Sequence, residues 1–198
     1  MPLRSDWSQR TCSIARGLDV LGDPWSLMVL REVFLGNSRF EAMKQQLGAA
    51  DNVLSKRLGW LVDGGLLTQR PYDDGGRSRL EYVLTVKGED AMPVLNAVIL
   101  WSEKHMEAPG DESHMRVIHH SCGLPASSAD VCTHCGEKLT AATTSWHSPA
   151  RSARPIALAT APATPAPAIP APATPAPASS APAGPNDPHG PAPREPRQ

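Results

Sequence analysis

Long apolar runs are missing from this chain of 198 residues. No stretch approaches the roughly 18–20 consecutive apolar residues that span a bilayer, and the opening MPLRSDWSQRTCS lacks the apolar centre of a secretory leader. Both absences point to a cytoplasmic location with no membrane partner. Net charge is nearly absent too, at −1, so the chain as a whole does not advertise a polyanion-binding surface. Cysteine is scarce and unevenly placed: Cys12 stands alone, while Cys122, Cys132 and Cys135 crowd into one segment. In a chain without a leader, that crowding favours metal or redox chemistry over a disulfide framework. No nucleophile elbow, phosphate loop or paired-carboxylate motif is present, which argues against an enzyme.

Proline is rare in the first part of the chain and abundant in the last. Of 21 prolines, 15 fall from Pro149 onward, where APATPAPA occurs at 161–168 and again at 171–178. Proline supplies no backbone N–H and alanine too little apolar area to offset the entropy of ordering. Residues 148–198 are therefore expected to be a disordered, polyproline-leaning tail. The tail lacks interspersed basic or aromatic anchors, so it reads as a spacer more than as a ligand for a partner.

What remains is helical at first. Ile14, Leu18 and Leu21 fall at helical spacing, and GDP ends that segment. Pro24 suits the first turn of a second helix carrying Leu27, Leu30 and Phe34. An Asn37/Ser38 cap opens a third with Phe40, Met43 and Leu47. VLSKRLGWLVDGG follows with Leu54, Leu58 and Leu61 on one face. The period then shortens to two at Leu80, Tyr82, Leu84 and Val86. LLTQRPY and that strand form a hairpin around DDGGRS, whose glycine pair supplies the positive φ of a tight turn. A last helix reaches about Glu107, with Pro93 kinking it or marking a restart. The fold class is mainly α with a β-hairpin wing, a winged helix-turn-helix.

That order gives the polar face of VLSKRLGWLVDGG a chemical meaning. With the leucines inward, positions 51, 52, 55, 56 and 59 point outward on the half that meets base edges in such folds. Asn52 suits adenine and Lys56 guanine, while Ser55 and Arg57 suit phosphates. Ser38 and Arg39 open the preceding helix and fit phosphate contacts. Arg77 and Arg79 flank the wing tip, although Asp73 and Asp74 beside them would repel phosphate unless turned away. Between Ser38 and Arg79 there are seven Lys/Arg against five Asp/Glu; between Leu80 and Glu107, two against five. The basic excess thus sits on the expected DNA-facing half.

The segments CSIARGLDVLGDPWSLMVLREVFLG, SRFEAMKQQL, VLSKRL, DGGLL, EYVLT and PVLNAVILW, in order over about residues 12–105, resemble the HxlR-type bacterial transcriptional regulators. The resemblance implies a homodimer that binds double-stranded operator DNA, with residues 1–108 as the DNA-binding and dimerisation domain. Apolar surface on the first and last helices, more than one small domain uses, is consistent with a two-fold interface. In some members of the family the cysteine corresponding to Cys12 is a redox sensor; a small buried apolar residue is the ordinary alternative. Gly59-Trp60 departs from the family pattern.

Beyond the resembling region lies HHSCGLPASSADVCTHCGE. Cys132-x2-Cys135-Gly136 is half of a zinc knuckle, in which glycine lets the backbone turn around the thiolate. Residues 115–140 are expected to be a small zinc-ribbon-like extension with His120, Cys122, Cys132 and Cys135 as ligands, His119 and His134 being rivals for the fourth place. A thiol- or zinc-based redox protein, or an interaction adaptor, is the alternative function. It is disfavoured because a filled four-ligand site leaves no open coordination position and no βαβ unit places the thiols at a helix start.

Overall fold

The computed structural model describes residues 6–110 and 114–163. The expected tail from 164 onward, with the second repeat, lies outside the described residues. The chain runs through α1 (Ser13–Leu21), α2 (Pro24–Phe34), α3 (Phe40–Leu47), α4 (Asp51–Asp63), β1 (Leu67–Asp74), β2 (Arg77–Leu84), α5 (Val86–Glu89) and α6 (Met92–His105). It continues through β3 (Arg116–His119), a 3-10 turn at Ala141–Thr143, β4 (Thr144–His147) and β5 (Ile156–Ala157). Among the described residues, no helix is long and apolar enough to cross a membrane.

Local chemistry accounts for most of the boundaries. Pro24 sits in the first turn of α2, and the Asp23 side chain caps that helix by accepting from the Trp25 N–H at 3.0 Å. α3 departs from the expected cap. Arg39 holds the cap position without a side-chain bond, because Asn37 donates to Glu32 at 2.7 Å and the Ser38 hydroxyl donates to Glu81 at 2.9 Å. Tertiary partners have taken both candidate caps. Pro93 marks a restart: α5 ends at Glu89, and α6 begins with Pro93 in its first turn.

The wing pairs antiparallel from Leu67 opposite Leu84 to Asp74 opposite Arg77. Its two-residue turn is Gly75-Gly76, with φ of 62° and 85°; both central residues of such a turn need positive φ. At its base the Tyr82 N–H donates to the Ser38 carbonyl at 2.7 Å, fixing the hairpin to the start of α3.

The C-terminal extension is an antiparallel sheet in the order β3-β4-β5, and it shares one apolar core with the helices. That core joins Leu30 and Phe34 of α2, Leu54, Leu58 and Leu61 of α4 and Leu95 of α6 to Val117, Trp146 and Leu158. Here the observed organisation departs from the expected one. The ribbon does not stand apart over 115–140, and residues 148–163, read as the start of the tail, are built into the fold. β5 pairs with β4, and the Ala159 N–H donates to the Phe34 carbonyl at 2.8 Å. Leu158, Phe34 and Trp146 supply the apolar burial that a Pro/Ala composition lacks.

Candidate nucleic-acid interface and metal centre

α4 buries Leu54, Leu58 and Leu61 and leaves Asn52, Ser55, Lys56 and Gly59 exposed. A Cβ on Gly59 would meet nothing within 4 Å. The fold itself therefore does not require glycine there, although glycine costs a helix interior about 1 kcal/mol.

Arg57 is not a surface residue, and its expected place among the phosphate contacts is corrected. It is 7 % exposed, and its Nη2 pairs with Asp23 at 2.7 Å. Since Asp23 also caps α2, the pair ties α4 to the start of that helix. The Arg57 guanidinium lies 4.2 Å from the centre of the Trp60 ring, and the Lys56 ammonium 5.0 Å from it. Positions three and four apart on a helix share a face, so Trp60 becomes a platform for both cations. This gives Gly59-Trp60 a reading that the local sequence withheld: an open site beside an aromatic ring bearing two positive charges.

Around α4 the other expected residues fall into two groups. Arg39 is exposed at the start of α3, with its guanidinium 4.2 Å from the centre of the Tyr72 ring. Arg77 and Arg79 are exposed at the wing. Ser38 is half-buried and engaged with Glu81, which also pairs with Arg70 at 2.8 Å. Burial opposes ionisation of Glu81, but the hydrogen bonds from Arg70 and Ser38 outweigh it and hold the carboxyl below its ordinary range. Both acids at the wing tip are occupied. Asp73 accepts from the Gly76 N–H at 2.7 Å, and Asp74 pairs with Arg79 at 3.0 Å.

In the extension, the ligand atoms of His119, Cys122, Cys132 and Cys135 all lie within 4.8 Å of one another. Cys122 Sγ is 3.6 Å from Cys132 Sγ, and His119 Nδ1 is 3.7 Å from Cys122 Sγ and 3.3 Å from Cys135 Sγ. Four sites around a tetrahedral ion with Zn–S of about 2.3 Å would be separated by about 3.5–3.8 Å. The set fits. The expected fourth ligand, His120, is corrected to His119. Along β3, Val117 and His119 point inward while His120 is exposed, its Nε2 2.8 Å from Ser145 Oγ. Strand alternation carried the signal, since inward Val117 implies inward His119. His134 lies 3.1 Å from the Pro125 carbonyl instead.

Two turns of the same form present these four side chains. His119-x2-Cys122 is followed by Gly123 at φ 68°, and Cys132-x2-Cys135 by Gly136 at φ 77°. The Gly123 N–H returns to the His119 carbonyl at 2.9 Å and the Gly136 N–H to the Cys132 carbonyl at 2.8 Å. Backbone N–H groups of His134 and Cys135 aimed at Cys132 lower its thiol to about 6, favouring the thiolate that ligates metal. Cys12 is exposed at the cap of α1.

The fold and the sequence are matched by known proteins. Residues 20–109 match the HxlR-like helix-turn-helix family. An HTH-type transcriptional regulator of Mycobacterium tuberculosis is 36% identical over 129 residues, 65% of this chain and 80% of that one. The chain belongs to the HxlR-like helix-turn-helix family of transcriptional regulators. A Synechocystis HTH-type regulator of this kind is 35% identical over 88 residues, 44% of this chain and 64% of that protein. The solved structure of PA1607, described as a transcription factor, is 38% identical with a TM-score of 0.57, covering 69% of this chain and 94% of that chain. The 129-residue match is longer than the span matched to the family. Likeness to the mycobacterial regulator therefore extends beyond the helix-turn-helix region.

Proposed function

We propose that this HxlR-like regulator acts as a homodimer on double-stranded operator DNA in the cytoplasm, with α4 in the major groove. The observation that carries the reading is the exposed N-terminal half of α4, where Asn52, Ser55 and Lys56 face outward beside Gly59 and the fold leaves open space. Asn52 and Lys56 are the base-reading candidates, Ser55 and Arg39 the phosphate contacts, and Arg77 and Arg79 the wing contacts. Ser38 and Arg57 set the position of these elements through Glu81 and Asp23. Residues 1–108 form the DNA-binding and dimerisation part.

Dimerisation is supported by apolar side chains that one chain leaves uncovered. Ile14 is 72 % and Leu18 49 % exposed on α1, and Trp101 is 59 % exposed on α6, with Val94 and Val98 nearby in sequence. α1 fully buries none of its own residues. Such a face calls for a partner, and a two-fold copy supplies the same one while pairing two half-sites. Cys12, exposed at the start of α1, would be the thiol that reports on this seam. Zinc(II) is the proposed cofactor of the His119, Cys122, Cys132 and Cys135 set, since thiolate and imidazole ligands in a tetrahedral arrangement select it.

The deciding experiment is a gel shift on the DNA upstream of the protein's own reading frame, over a salt series. Binding should weaken steeply with salt as phosphate contacts release counterions. Lys56→Ala should abolish specific binding in a folded protein that sediments as a dimer. Absence of binding to any genomic fragment would overturn the reading.

A further inference from the structure

We propose that the metal-bound ribbon is a brace for the DNA-binding module, so that zinc occupancy sets how firmly α2 and α6 are held. The proposal rests on the zinc reading above and adds a role for the ion.

Within residues 120–139, only Ala126, Cys132 and Leu139 are buried. That is too little apolar area to order the loop against its conformational entropy, so a cross-link must supply the difference. The four ligands supply it, tying the end of β3 to the second knuckle. His119 completes the arrangement. It is fully buried, its Nδ1 faces the thiols, and its Nε2 has no hydrogen-bond partner but lies 3.5 Å from Glu137 Oε2. An imidazole ligating through Nδ1 carries its proton on Nε2, and a carboxylate beside that proton fixes the tautomer. Glu137 is itself held by the Ser121 hydroxyl at 2.9 Å.

The loop closed by these ligands is joined to the helices at one buried side chain. Asn96 of α6 donates through Nδ2 to the carbonyl of Ala129, which lies between the two knuckles, at 2.8 Å. Its Oδ1 accepts from Trp146 Nε1, also at 2.8 Å. The Trp146 ring in turn packs against Phe34 at the end of α2, with centroids 5.6 Å apart. A few residues on, Arg151 reaches Glu32 of α2 at 2.6 Å, and Glu32 holds Asn37 at the approach to α3. Ordering of the metal loop thus satisfies α6 and steadies the helix on which α3 and α4 rest. If the loop were released, Asn96 would lose the Ala129 carbonyl within a buried site.

The test uses the full chain as purified and as loaded with zinc chloride. One zinc per chain is expected by elemental analysis, retained in His120→Ala and lost in Cys132→Ser. Removing the ion with a strong chelator should lower Tm and weaken operator binding about tenfold, both restored by added zinc. Arg151→Ala and Asn96→Ser should each keep the bound zinc, while the Tm gain on zinc addition shrinks. Failure to bind zinc overturns the proposal, as does bound zinc whose removal leaves Tm unchanged. A zinc-loaded protein that binds no DNA would instead refute the operator reading, and the Tm response would still test the brace.

Discussion

Trp146 Nε1 donates to Asn96 Oδ1 at 2.8 Å across fifty positions of sequence, and both residues are fully buried. The bond connects the extension to α6 within the shared core, beside the bond from Asn96 Nδ2 to the Ala129 carbonyl. Trp146→Phe keeps an aromatic ring beside Phe34 but removes the donor. A buried acceptor left unpaired costs about 1–3 kcal/mol, so the variant should unfold at lower denaturant with an unchanged slope. Asn96→Leu, which removes the partner as well, should not add to the Trp146→Phe loss in full; a double-mutant cycle by urea unfolding measures the coupling.

Arg57 and Lys56 are adjacent and should behave differently. Arg57→Ala removes the partner of Asp23 in a largely buried setting and should cost about 1–3 kcal/mol, weakening DNA binding through loss of the α4 position. Lys56→Ala should leave thermal stability within about 0.5 kcal/mol while removing specific operator binding, because the proposed role of Lys56 is to read a base. Calorimetry and gel shifts on the two variants separate a positioning residue from a contact. Equal stability losses would contradict this assignment.

Gly59 offers a test in which stability and function move in opposite directions. Alanine meets no atom there, so Gly59→Ala should stabilise the folded protein by about 0.5–1 kcal/mol. In the proposed complex the added methyl would enter the space where α4 meets DNA, and affinity should fall. A stabilised variant with undiminished affinity would place the DNA elsewhere.

Glu32 predicts an acid limit to stability. Burial opposes its ionisation, but hydrogen bonds from Arg151, Arg31 and Asn37 outweigh that and lower its pKa from the ordinary 4.5. A carboxylate lowered in the folded state contributes stability that is fully present above its unfolded pKa and is lost as pH falls through the folded one. Tm should therefore hold through neutrality and decline below about pH 4.5. Glu32→Gln should be less stable at pH 7 and should lose less on acidification, as thermal melts from pH 7 to 3 would show.

Much of this protein was decided by short-range pattern alone. Leu54, Leu58 and Leu61 fall on one face because 3.6 residues complete a turn. Gly75-Gly76 makes the wing because few other residues accept two positive φ values in succession. The Cys-x2-Cys-Gly spacing marks a knuckle whatever surrounds it. Where a side chain's role depends on a distant partner, local pattern had no access to it. Arg57 looks like a phosphate contact until Asp23 folds against it. Ser38 looks like a cap until Glu81 claims its hydroxyl. His119 and His120 are chemically identical neighbours: strand alternation with Val117 favours His119, and the packing of β3 against β4 and the core sets that face toward the thiols. The chain after Pro149 is poor in apolar residues by composition, yet Leu158 and β5 are ordered because β4 and α2 present surfaces for them. Sequence alone determined the longer helices, the wing and the kinds of chemistry available, although Val86, expected in the second strand, opens α5 instead. The tertiary structure decided which charges face outward and which are buried, because burial and pairing are set by residues brought together only when the chain folds.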